Sequence, residues 1–180
     1  SARFNLAISG MMAYPISELP VTLADLELTG TSLYGYQPLQ QALAAKAGVD
    51  PACVVHAAGT SMANHLALAT LIEPGDEVVI EQPVYDPIIS AARYLGATVK
   101  RFVRRFEDDF HIDLNELEDA VSPRTRLIVL TNMHNPTSAI TDIDTLKQVG
   151  ELARRVGARV LVDEVYIEAI FDGARPYAFQ

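Results

Sequence analysis

Helix-like and strand-like segments alternate along this chain, and that alternation limits its fold more than any other feature. QQALAAKAG (40–48) runs through helix formers to a glycine, which reads as a helix with its stop. SMANHLALATLI (61–72) has apolar residues at 62, 63, 66, 67, 69 and 71, ends at Pro74-Gly75, and opens on Ser61 as a cap. DEVVIEQP (76–83) predicts a short buried strand. YDPIISAARYLGA (85–97) predicts a helix with Pro87 in its first turn and Gly96 as its stop, and TVKRFV (98–103) alternates as a strand does. DLNELEDAV (113–121) then predicts a short acidic helix, RLIVLTN (126–132) a strand, DIDTLKQVGELARRVG (142–157) an amphipathic helix, and ARVLVDEVY (158–166) a closing strand. Strands separated by helices of this length imply βαβ crossovers. The expected fold class is therefore α/β, a mainly parallel sheet flanked by helices in three α/β/α layers.

In such sheets ligands sit beyond the carboxyl ends of the strands, so the residues just after each strand are the ones to examine. After 160–162 come Asp163, Glu164 and Tyr166; after 127–130 come Asn132, His134, Asn135 and Pro136; after 78–80 come Gln82 and Tyr85. A further short strand expected at Val54-Val55 would lead into Gly59, Thr60 and Ser61 at a helix start. Each residue also has a plain structural reading. Gly59-Thr60-Ser61 reads equally as a turn and cap, and Tyr85 as an aromatic covering the sheet edge. Asn135-Pro136 reads as a turn, His134 as a hydrogen-bonded histidine, and Asp163 as a cap or the partner of an arginine. Together they suit one ligand that carries a phosphate, a flat ring, a ring hydroxyl and a protonated ring nitrogen. The helix start would take the phosphate. Pyridoxal 5′-phosphate is such a ligand, and a carboxylate against its nitrogen keeps the ring protonated and electron-accepting. That pairing would explain why Asp163 ends a strand as apolar as Val160-Leu161-Val162.

Composition narrows the alternatives. With 180 residues, 49% of them hydrophobic, the chain can build one core, and one domain or slightly more is expected. Fourteen basic residues against 23 acidic ones give a net charge of −9, which argues against nucleic acid or an anionic membrane as partner. A single cysteine, Cys53, allows no internal disulfide and no cysteine-cluster zinc site, and no metal is expected. The chain lacks an apolar run near the ~20 residues of a membrane span, and its start lacks a basic-then-apolar leader, so a cytoplasmic location is the expectation. A nucleotide-binding reading fails because neither Gly-x-Gly-x-x-Gly nor Gly-x-x-x-x-Gly-Lys-Ser/Thr occurs.

The segments AAGTSMANHLAL, IEPGDEVVIEQPVYDP, LGATV, FHIDLNELEDAV, LIVLTNMHNPTS and ARVLVDEVY, in this order and spacing, resemble the class I/II aminotransferases of the aspartate aminotransferase fold. The likeness runs from about Tyr34 to about Phe171. It implies a pyridoxal 5′-phosphate enzyme that moves an amino group between an amino acid and a 2-oxo acid. By the same resemblance Gly59, Thr60 and Ser61 match the phosphate-binding turn, and Tyr85 the ring that stacks on the cofactor. Asn135 and Tyr166 match the groups that reach the ring hydroxyl, and Asp163 the aspartate on the pyridine nitrogen. The catalytic assignments are Asp163 and Tyr166.

The resemblance also implies a homodimer for the intact protein, an N-terminal arm over 1–30 with NLAISGMMAYP near the substrate, and part of the cofactor-binding large domain over 31–180. Three departures stand out. Ser138 replaces the glycine of the family's Asn-Pro-Thr-Gly, a change expected to be tolerated if the backbone there need not take φ > 0. Gly30 stands where a tyrosine often reaches the partner subunit's phosphate, with Tyr34 and Tyr36 nearby. The Schiff-base lysine has no counterpart, because Lys46, Lys100 and Lys147 match no such motif. The family's second phosphate-binding arginine, its substrate-carboxylate arginine and the small C-terminal domain would all lie past Gln180. This chain alone is accordingly expected to be inactive. The alternatives are a carbon–sulfur lyase of the same fold and a non-catalytic, truncated cofactor-binding domain.

Overall fold

The computed structural model describes residues 13–27, 29–30, 35–173 and 175–178. It divides into two compact units, Ser1–Val55 and His56–Gln180. In the first, two short 3-10 turns, Ile16–Glu18 and Leu23–Asp25, precede helix α1 (Gln37–Ala47) and a third turn at Pro51–Cys53. Helix α1 starts ahead of the expected 40–48 because Pro38 fits its first turn, and it stops as expected at Gly48, where φ is 69°. The strand expected at Val54-Val55 does not form. Val54 closes the turn, and Val55 is 84% exposed, without the ladder that a strand needs. Tyr34 and residues 1–12 and 28 of the expected N-terminal arm lie outside the described residues, while Tyr36 caps α1.

The second unit runs α2 (Thr60–Leu71), β1 (Glu77–Gln82), α3 (Asp86–Tyr94), β2 (Thr98–Val103), α4 (Leu114–Ala120), β3 (Thr125–Thr131), α5 (Ile143–Val156) and β4 (Arg159–Asp163). All pairings are parallel, in the order β2-β1-β3-β4. Continuous apolar runs fit strands covered on both faces, and here Val78 and Ile80 face one core while Val79 faces the other. Leu68 of α2 and Ile88, Ile89 and Ala92 of α3 pack with Val78, Ile80, Leu127 and Val129. Leu117 of α4 and Leu146, Val149 and Leu152 of α5 pack with Val79, Ile128 and Leu130. The sheet is thus the middle of three layers, as the alternation implies.

The ends of these elements have local causes. At the start of α5, Asp142 Oδ1 accepts the amides of Asp144 and Thr145, both at 2.9 Å, and Gly157 (φ 76°) ends the helix. Ser61, expected as the cap of α2, lies inside the helix. The capping position belongs to Gly59, at φ 87° and ψ 158°, a conformation open to glycine but strained for any residue with a Cβ. Ser138 sits at φ 65°, so the condition under which serine was expected to be tolerated there is not met.

Candidate cofactor-binding site

From β1 the chain moves outward to β2, then returns to lay β3 on the other side of β1. Strand order therefore reverses between β1 and β3, which in open α/β sheets is where a ligand crevice opens beyond the carboxyl ends. Tyr85 follows β1 and caps α3, with 40% of its surface exposed. Asn135 follows β3 and is half-buried; its amide donates to Thr131 Oγ1 at 2.9 Å. Asp163 is the last residue of β4, pairing with Thr131, and half-buried Tyr166 opens the 3-10 turn that comes next. Parallel pairing brings all four to one edge of the sheet.

The N-terminus of α2 belongs to the same region. Buried Asn64, in its second turn, donates from Nδ2 to Asp163 Oδ2 at 2.7 Å. At ~1.5 Å per residue, Gly59 is then roughly 7 Å further along the helix axis. Glycine at the capping position gives the first amides of α2 no side-chain acceptor, and a Cβ placed on Gly59 would meet nothing within 4 Å. An open helix N-terminus of this kind favours an anion through its free N–H groups and its dipole.

Two carboxylates are buried at this edge, and their surroundings differ. Glu81, in β1, forms an ion pair at 2.9 Å with Arg104, and both side chains are wholly buried. Glu81 Oε1 also accepts from the amide and hydroxyl of Thr131. Burial pushes the Glu81 carboxyl above its ordinary range, opposed by the Arg104 charge and the Thr131 bonds. Asp163 is only 7% exposed, yet its acceptors meet neutral donors alone, Asn64 Nδ2 and the Val165 amide at 3.0 Å. Among the described residues no lysine or arginine pairs with it. One buried acid has its cation within the chain; the other is held by two neutral donors at the carboxyl end of β4.

His134 completes the inner network. Pro83 O, 3.0 Å from Nε2, can only accept, so Nε2 carries the proton and Nδ1 accepts from the Thr137 hydroxyl at 2.6 Å. Burial first, and the nearby Arg104 charge second, lower its pKa to about 4. The ring is therefore neutral at neutral pH, and its 3.8 Å approach to Glu81 is no ion pair there. His134 ties the loop after β3 to the loop after β1, a structural role. Glu164, beside Asp163, accepts from the Ala178 amide at 2.7 Å and is raised mainly by burial.

The sequence reading missed Asn64, Glu81 and Arg104. Glu81 was legible as an acid inside a strand expected to be buried, and Arg104, just past the next strand, was the cation within reach. Asn64 lay within an apolar helical pattern and gave no such signal.

Fold and edge together define an open, doubly wound α/β protein that brings the start of α2 and a buried carboxylate held by neutral donors to one end of the sheet. Residues 24–179 match the model of the family described as aminotransferase class I and II, and the chain belongs to that family. It is 29% identical over 151 residues to an aspartate aminotransferase of Sulfolobus acidocaldarius, covering 79% of this chain and 38% of that one. It is 34% identical over 151 residues to a probable N-succinyldiaminopimelate aminotransferase of Mycobacterium tuberculosis, covering 78% and 38%. A solved aspartate aminotransferase double mutant of Thermus thermophilus superposes with a TM-score of 0.78 at 25% identity, covering 82% of this chain and 40% of that one. The chain spans about two-fifths of the length of these relatives. Among the described residues, no helix is long and apolar enough to cross a membrane, and no group of three or more His, Cys, Asp or Glu could hold a metal ion.

Proposed function

We propose that this chain is the cofactor-binding part of a pyridoxal 5′-phosphate-dependent aminotransferase, which moves an amino group between an amino acid and a 2-oxo acid. The observation that carries this reading is Asp163, a buried carboxylate at the carboxyl edge of the sheet, held by neutral donors and without a cation partner among the described residues. A protonated pyridine nitrogen is the partner such a group calls for. The open start of α2 fits the phosphate at the other end of the same molecule.

In this reading Gly59, Thr60 and Ser61 take the phosphate on backbone amides, and Tyr85 covers one face of the ring. Asn135 and Tyr166 bond the ring hydroxyl, while Asp163 holds the proton on the ring nitrogen. When bound, the cofactor supplies an electron sink for the bonds to the substrate's α-carbon. None of the three lysines suits the covalent role. Lys100 pairs with Glu77 at the opposite end of the sheet, Lys147 pairs with Asp144 on the outside of α5, and Lys46, in the last turn of α1, matches no Schiff-base motif. The 180-residue chain is therefore expected to bind the cofactor without turnover. By resemblance the intact protein is a cytoplasmic homodimer, with 1–30 as an arm and 31–180 as part of its large domain.

The test is calorimetric titration with pyridoxamine 5′-phosphate, which has the ring, hydroxyl, nitrogen and phosphate but no aldehyde to react with surface lysines. Saturable binding that weakens at least tenfold in Asp163→Asn is expected, with no transamination by the chain alone. Absence of binding would overturn the site, and robust turnover would overturn the assignment of the lysine to a part of the protein outside this chain.

A further inference from the structure

Asn64 stands at the junction between the two ends of this site. It is 6% exposed and sits one turn into the helix whose N-terminus forms the anion cradle. Its Nδ2 donates to Asp163 Oδ2 at 2.7 Å, while the Val165 amide donates to Oδ1 at 3.0 Å. One donor on each oxygen fixes the carboxylate plane, because rotation about either side-chain bond would break one of the two contacts. Each oxygen keeps a further lone-pair direction for another donor. The chemistry of the amide matters as much as its place. A lysine or arginine here would neutralise Asp163 and remove its attraction for a cation, whereas a leucine would leave Oδ2 buried and unsatisfied. Asparagine orients the charge without cancelling it.

We propose that Asn64 is a positioning residue, setting the Asp163 carboxylate in register with the phosphate cradle so that one rigid helix fixes both ends of the cofactor. This rests on the reading that Asp163 faces the ring nitrogen. Because Gly59 caps α2 and Asn64 lies one turn into it, the separation between phosphate and carboxylate is set mainly by helix geometry and not by loop packing.

The test compares two ligands on the 180-residue chain: pyridoxamine 5′-phosphate, and 3-hydroxybenzyl phosphate, which keeps ring, hydroxyl and phosphate but lacks the ring nitrogen. The readout is the ratio of their Kd values, which a general loosening of the fold would not change. Asn64→Leu and Asn64→Ser both remove the reach to Asp163. Each is expected to weaken pyridoxamine 5′-phosphate by about tenfold, at the lower end for a hydrogen bond to a charged group, with 3-hydroxybenzyl phosphate unchanged. If the leucine variant loses its circular dichroism spectrum, the polar serine variant decides. A wild-type ratio preserved in Asn64→Ser, alongside a ratio lost in Asp163→Asn, overturns the role of Asn64 and leaves the cofactor site standing. Failure of the wild-type chain to prefer pyridoxamine 5′-phosphate overturns both.

Discussion

Replacing Arg104 by methionine breaks the buried ion pair with Glu81 together with the bonds Arg104 donates to Phe110 O and Thr141 Oγ1. The substitution keeps a long apolar stem but leaves Glu81, wholly buried, with only the Thr131 amide and hydroxyl as partners. Removing one member of a buried pair costs about 3–5 kcal/mol, since the other charge is left uncompensated. At roughly 3 °C per kcal/mol for a chain of this size, Tm at neutral pH should fall by about 10–15 °C. The pH dependence has a definite sign. Burial already raises the Glu81 carboxyl, and the guanidinium holds it down, so the variant raises it further. A carboxyl raised on folding adds stability that is complete below its unfolded pKa and is lost as pH rises through the folded one. The penalty in Arg104→Met should therefore be largest near neutral pH and shrink as Glu81 takes up a proton. Urea unfolding followed by circular dichroism at several pH values measures this. Running the series in a His134→Gln background removes the second titrating group in contact with the pair. The double variant Glu81→Gln with Arg104→Met, which removes both charges, should recover the part of the loss that comes from the uncompensated charge, while the bonds to Phe110 O and Thr141 Oγ1 stay lost. A penalty that is the same at every pH, or a double variant no more stable than the single one, would refute the assignment of the cost to an uncompensated Glu81 charge.

His134, whose pKa is lowered to about 4, contributes stability that is present above the unfolded value of roughly 6.5 and lost as pH falls through about 4; His134→Gln should flatten the acid limb of a stability–pH curve across that window. Ser138→Gly relieves a left-handed backbone at φ 65° and should raise unfolding free energy by about 0.5–1 kcal/mol in urea titrations, the relief exceeding the extra freedom glycine gives the unfolded chain. Asp142→Ala removes the acceptor of two α5 amides and should cost about 1 kcal/mol by the same measurement. Gly59→Ala has open space for its methyl but a φ of 87°, so it should weaken pyridoxamine 5′-phosphate binding through the backbone without a steric clash; equal affinity would mean that the cradle conformation is dispensable.

Much of the fold was legible because its causes are local or periodic. The helix stop at Gly48, the helix over 142–157 and the doubly buried runs 78–80 and 127–130 all follow from short-range chemistry. The strand rule then brought Tyr85, Asn135, Asp163 and Tyr166 to one edge without any knowledge of contacts. Where reading failed, either a partner distant in sequence or a backbone conformation that residue type does not announce decided the outcome. Val54-Val55 has strand-forming residues, but a strand also needs a neighbour to pair with. Ser61 is a good capping residue, but Gly59 takes that position in a conformation that serine disfavours. Asn64 bonds Asp163 across 99 residues of sequence, and nothing about an asparagine among apolar helix residues announces such a partner.

The order β2-β1-β3-β4 also bears on how the chain assembles. Two crossover units, β1–α3–β2 and β3–α5–β4, each close over a modest stretch of sequence, and the seam between them is the β1–β3 ladder. Contacts between nearer segments form at lower entropic cost, so that seam is expected to zip after its two halves. The proposed cofactor site lies at the end of this seam, which Glu81 crosses to reach Thr131. A pocket built on the last joint to close exists only in the finished fold. A molecule that settles there therefore acts as a latch on the native state, raising the free energy of unfolding with its concentration.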